Sequence, residues 1–148
     1  MNLFGVMEVS GSALQAERIR AEVVAANMAN AETTRTADGA PYLRQHVVFS
    51  ADAPKSSFAG QFLGEGGQSN QGIGGVRVSA VVADQGNPLR RYDPGHPDAD
   101  KDGYVSYPDI NPLTEMVDLM GATRAYGLNA SAVQAEKGML SASLDILK

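Results

Sequence analysis

Residues 98 to 109 carry the spacing of an oxygen-lined cation loop. Asp98, Asp100 and Asp102 stand at alternate positions, Gly103 follows at the sixth, Val105 is apolar at the eighth, and Asp109 puts a carboxylate at the twelfth. Calcium takes roughly six to eight oxygens, and this order of carboxylates around a glycine turn is how a short loop supplies them. The flanks argue the other way. Such a loop needs a helix on each side, whereas Pro94 and Pro97 precede it and Pro108 lies inside it. Aspartate at the last position is also shorter than the usual bidentate glutamate. The plainer reading is a turn leading into a strand, in which Asp98 and Asp100 hold backbone N–H groups and Gly103 supplies a positive φ. A small calcium-binding regulatory module built on Asp98, Asp100, Asp102 and Asp109 is the alternative.

Other chemistries have less to stand on. The stretch from Gly64 to Gly75 lacks the Gly-Lys-Ser/Thr ending of a phosphate loop and has no helical pattern after it. His46 and His96 lie in different segments without zinc-site spacing. Ser10-Gly11-Ser12 is not the Gly-x-Ser-x-Gly of a nucleophile elbow. With no acid–base pair, nucleophile or metal cluster, the sequence points away from an enzyme, a cofactor or a small-molecule substrate. The chain has no cysteine, which removes disulfide and thiolate chemistry. A formal net charge of -5 with scattered Lys and Arg, adjacent only at Arg90 and Arg91, argues against a nucleic-acid partner. The start, Met1 to Val9, has no basic n-region and is broken by Gly5 and Glu8, so no cleaved secretory signal is expected. The protein either stays in the cytoplasm or leaves by a route that reads no such signal.

The elements that must carry these residues are legible from periodicity. From Pro112 to Lys148 an apolar stripe repeats every seven residues, with Leu119, Tyr126, Val133, Leu140 and Leu147 at one heptad position and Met116, Thr123, Ala130, Lys137 and Leu144 three residues earlier. A seam that narrow must be covered by another helix. Val9, Ser12, Ala16, Ile19, Val23, Ala26 and Asn30 mark a second helix with a small-residue seam, capped at Ser10 or Ser12 and dissolving at Thr33 to Gly39. Between them, strands are expected at Tyr42 to Phe49, Val76 to Ala83, Leu89 to Tyr92 and Tyr104 to Tyr107, with a Gly-rich loop at about 51–75. The fold class is therefore mainly α with a small β insertion, the long terminal helices pairing as an antiparallel coiled coil and a β-rich hairpin segment lying between them. Residues 1–35 and 112–148 form the helical domain and 36–111 the insertion. Asn27, Asn30 and Asn129 are helix terminators or amides that bond across helices and fix register. Arg124 and Tyr126 are a solvated face and a core ring, or contacts to a neighbouring subunit.

Two segments add a resemblance. Ser12 to Arg18, Ala25-Ala-Asn27-Met-Ala-Asn30-Ala, Thr33-Thr34, Gly39 and Pro41-Tyr42-Leu-Arg44 resemble the N-terminal signature of the flagellar basal-body rod and hook family. Asn111-Pro112-Leu-Thr-Glu115-Met116-Val117-Asp118, with Arg124-Ala-Tyr126 and Asn129, is similar to that family's C-terminal signature. Between them, Tyr92 to Asp100 and Gly103 to Pro108 resemble the segment typical of a proximal-rod member. The position of Asp109 is often asparagine in the family. The resemblance implies a non-enzymatic subunit of the proximal rod, whose terminal helices form the inner layer of a helical tube and whose middle segment forms a small outer β element. It implies as partners copies of the chain, other rod subunits, the basal-body membrane ring and the export-gate adaptor. Export through the flagellar type III apparatus and a periplasmic location in the basal body are implied too. The assembly interface is expected at Ala16, Ile19, Val23, Ala26, Asn27 and Asn30 of the first helix. On the second it is expected at Met116, Leu119, Arg124, Tyr126, Asn129, Val133, Leu140, Leu144 and Leu147.

Overall fold

The computed structural model describes residues 3–51 and 74–146. The order is α1 (Leu3–Ala29), β1 (Gln45–Ala51), β2 (Val76–Ala83), β3 (Leu89–Tyr92), β4 (Tyr104–Tyr107) and α2 (Pro112–Ile146). At about 1.5 Å per residue the helices are roughly 40 and 52 Å long. Most of the Gly-rich loop and Leu147 lie outside the described residues.

The local chemistry explains where each helix begins and ends. Asn111 caps α2, its Oδ1 accepting the Leu113 N–H at 3.0 Å, and Pro112 fills the first helical position, where a missing N–H costs nothing. Asn30 closes α1: its Nδ2 donates to the Ala26 carbonyl at 2.9 Å, and its Oδ1 accepts the Thr33 hydroxyl at 3.2 Å. Ser10 and Ser12 are not caps, because α1 starts at Leu3 and both lie inside it. Ser12 instead donates to the Val9 carbonyl at 2.7 Å and accepts the Val76 N–H at 3.1 Å, tying β2 to the helix.

The β portion is two separate antiparallel two-stranded ribbons, β1–β2 and β3–β4, rather than one hairpin segment. The first strand begins later than the β-branched run suggests, since Tyr42 turns back toward α1 before the ladder starts at Gln45. The bounds of the other three strands match those expected. A register shift between Val48 and Phe49 bends the first ribbon. Helix α1 packs on α2 and also touches both β1 and β2. The second ribbon is fastened to the segment after α1, where Thr34 Oγ1 donates to Asp98 at 2.8 Å and Arg35 pairs with the same carboxylate at 3.6 Å.

The core is thin. Among the described residues Ala16, Val24, Val105, Pro108, Ile110 and Ala122 are the buried apolar side chains, and Ser10, Asn27, Glu115 and Glu136 are buried with them. Four of these ten residues are polar, so this chain's specificity rests on how those polar groups are paired.

Candidate assembly interface

The densest polar cluster joins three elements at one point. Glu115, on the first turn of α2, is 1% exposed. Its Oε1 accepts Arg44 Nε at 2.7 Å and is also paired with the same guanidinium through Nη2. Its Oε2 accepts Asn27 Nδ2 at 3.1 Å. That amide also donates to the Gln45 carbonyl at 2.9 Å, while Asn27 Oδ1 accepts the Gln45 N–H at 2.9 Å and the Tyr42 hydroxyl at 3.2 Å. The two-point contact with Gln45 copies the way one β residue addresses another, so a side chain on the last turn of α1 stands in for a neighbouring strand. Arg44 and Arg20 both reach Asp118, at 3.8 and 3.5 Å. Burial, and after it the Glu115 carboxylate, raise the Tyr42 pKa above its ordinary value. Beside this cluster, Val23, Val47 and Phe49 line a cleft of about 340 Å³ between α1 and the first ribbon.

The two helices do not bury the positions that heptad counting assigns on both sides. On α2, Leu119, Val133 and Leu140 turn inward as expected, but the alternate seam position is held by Glu115, Ala122, Asn129 and Glu136. Met116, Thr123, Lys137 and Leu144 are each one residue beyond it and are exposed. Steps of four and then three from Glu115 give the same heptad period as steps of three and then four from Met116, so period alone does not choose between them. On α1 the expected stripe is offset in the same way. Its members Ser12 and Val23 face the ribbon, whereas Arg20 and Asn27, each one residue beyond the stripe positions Ile19 and Ala26, reach α2.

The expected interface residues therefore divide. Ala16 and Asn27 are buried within the chain; Ile19, Val23, Ala26, Asn30, Leu119, Asn129, Val133 and Leu140 are half-buried. Met116, Arg124, Tyr126 and Leu144 are exposed. Asn27 bonds across helices, but Asn129 does not: its Nδ2 donates to the Ala125 carbonyl of its own helix at 2.9 Å. Glu115 and Asp118 are paired inside the chain with Arg44 and Arg20, and Arg18 pairs with Glu22 on its own helix at 3.0 Å. The importance of Arg44 had no local signal, because nothing in its spacing says that residue 44 meets residue 115.

The acidic loop is occupied with its own chain. Asp100 Oδ1 accepts the N–H groups of Tyr104 at 2.8 Å and Asp102 at 3.0 Å, and its other oxygen pairs with Arg90. The bond to the Tyr104 N–H, followed by those to Asp102 and Arg90, lowers its pKa from the ordinary carboxylate value. Gly103 has φ +81°, as the turn reading requires. Asp98 is held by Thr34 and Arg35 rather than by backbone N–H groups, and among the described residues no three acidic or histidine side chains gather as a metal site would need.

Family models match both ends of this chain. Residues 7–35 match the model of the flagella basal body rod protein family, and residues 101–146 match that of the flagellar basal body rod FlgEFG protein C-terminal region. Both ends thus have the character of flagellar basal-body rod proteins as a class. A flagellar basal-body rod protein FlgC of Borreliella burgdorferi is 40% identical over 154 aligned positions, covering 100% of this chain and 99% of that protein. The FlgC of Bacillus subtilis is also 40% identical, with 100% of each chain covered, and that of Salmonella typhimurium is 35% identical over 99% of this chain and 98% of its own length. The chain belongs to the FlgC family of flagellar basal-body rod proteins. This is a family of structural rod proteins, not of enzymes.

Proposed function

We propose that this protein is a structural subunit of the proximal rod of the bacterial flagellar basal body, working by assembly and not by a chemical step. The observation that carries this reading is α2, which turns Leu119, Ala122, Val133 and Leu140 toward α1 and carries a second apolar set on its far side, where Leu113, Val117, Met120 and Leu128 are exposed. A lone two-helix protein has no use for the second face, whereas a subunit packed among others does. The full-length likeness to FlgC proteins of several bacteria supports the same reading.

Helices α1 and α2 pair antiparallel as a coiled coil and form the inner layer of a helical tube. The order of their contacts supports this, because Asn27 meets Glu115 while the earlier Arg20 meets the later Asp118. Each subunit offers different faces to the next, which is the interface type that grows into a tube. Copies of this chain, other rod subunits, the membrane ring and the export-gate adaptor are its partners. The flagellar type III apparatus exports it without cleavage into the periplasm, where the rod transmits torque through helices locked in register. Ala16, Ile19, Val23, Ala26, Asn27 and Asn30, with Met116, Leu119, Arg124, Tyr126, Asn129, Val133, Leu140, Leu144 and Leu147, serve that assembly either directly or by setting the helix pair.

The test is incorporation. Leu140→Asp or Ala26→Asp, in cells whose only copy is the variant, should leave basal bodies without the chain while both ribbons stay folded in the purified protein. Basal bodies that contain both variants at ordinary occupancy would remove the helical assembly role. N-terminal sequencing of the incorporated protein should begin within the first residues of the chain; a shortened start would rule out export without cleavage.

A further inference from the structure

We infer that the far face of α2 is covered, in the assembled rod, by the outer face of the first ribbon of a second copy of this chain. This deepens the rod reading and rests on it. Leu113, Val117, Met120 and Arg124 follow one another at steps of four, three and four, which places them on one ridge of α2. Val117 and Met120 are each 62% exposed, and Arg124 has no ion pair or side-chain hydrogen bond among the described residues. The ribbon presents the complementary order. Ladder pairing puts His46 opposite Val82 and Val48 opposite Ala80, and Val48 and Val82 are exposed. Asp84 continues that row at the end of β2, its carboxylate about half exposed and 3.4 Å from His46.

The helix ridge ends in a positive charge, and the ribbon row, with Ala80 and Val82 beside Val48 and His46, ends in the negative charge of Asp84. Their lengths are comparable: Leu113 to Arg124 spans about 16 Å of helix and Ala80 to Asp84 about 13 Å of strand. The chain's own ribbon does not fill this role, because it is fastened to α1 at Ser12 and Asn27, and Arg44 holds it to Glu115 on the inner side of α2. A ribbon from another copy therefore supplies the cover. Since the two faces differ, each copy offers one of each, and a contact made in the same sense from copy to copy repeats along the rod.

The chain's lack of cysteine allows a clean test in basal bodies. A chain carrying Val82→Cys and Met120→Cys should give cross-linked dimers and higher multimers on mild oxidation. Adding Asp84→Arg or Arg124→Asp should each lower the yield per incorporated copy by about fivefold, and both together should restore it. Cross-linking unmoved by either swap, or a double swap no better than the singles while the chain is present in the basal body, overturns this contact and leaves the rod reading standing. Absence of the unaltered chain from basal bodies at its normal expression level overturns both.

Discussion

Asn27 is the residue on which most depends, since its amide uses both its donors and both its acceptor sites against Tyr42, Gln45 and Glu115. Asn27→Ala leaves the Gln45 N–H and part of the Glu115 carboxylate without partners and should cost about 2 kcal/mol in urea unfolding. Asn27→Asp keeps the shape but sets a second carboxylate against Glu115, and should cost about 3 kcal/mol or more. Equal stability of the two variants would mean that charge at this point is unimportant. The raised Tyr42 pKa has a sign that can be checked. The folded state favours the neutral phenol, so its contribution is intact below the unfolded value near 10 and is lost as pH climbs through the folded one. Tyr42→Phe should flatten the alkaline limb of stability. The lowered Asp100 pKa acts oppositely: its hold on the β3–β4 turn is present above the unfolded carboxylate range near 4 and fades as pH falls below it. The Tyr104 amide resonance should report that loosening, and Asp100→Asn should abolish its pH dependence. Asn27 was legible as an amide awaiting an explanation, and Gly103 as a turn glycine. Glu115 and Arg44 were not, because their meeting depends on a fold that brings residues 44 and 115 together.

At the level of elements, periodicity identified both helices and the bounds of three strands, and it failed where a strip had two possible neighbours. Heptad spacing cannot tell Ala122 from Thr123 when only one of them touches α1. The distinction is measurable: Ala122, fully buried, should lose roughly 1–3 kcal/mol on substitution by leucine through overpacking, while Thr123→Leu should be nearly neutral. Similar costs for both would restore the unshifted seam. The strand positions were easier to read because turn residues bracket them. Gly103 is the clearest of these, since a Cβ there would sit 2.9 Å from the Tyr92 ring as well as requiring a left-handed backbone. Gly103→Ala should destabilise the second ribbon by about 1 kcal/mol or more, seen in tyrosine near-ultraviolet dichroism, with α1 and α2 unaffected.

The whole molecule spends little of its apolar surface on itself. Its enclosed core is a handful of side chains, and the larger ones on α2 face outward, so its stability as a separate chain is expected to be modest and to rise on assembly. Glu136 adds to this, being 4% exposed with neither carboxylate oxygen hydrogen-bonded among the described residues. The first ribbon is held to α1 at two places, Ser12 near one end and Asn27 near the other. They lie fifteen residues apart, about 22 Å along the helix axis. One such attachment would be a pivot, about which the ribbon could swing. Two form a couple: a sideways load on the ribbon is resisted by opposed forces at the ends of that arm, so the outer part of the subunit cannot be turned without turning the helix beneath it.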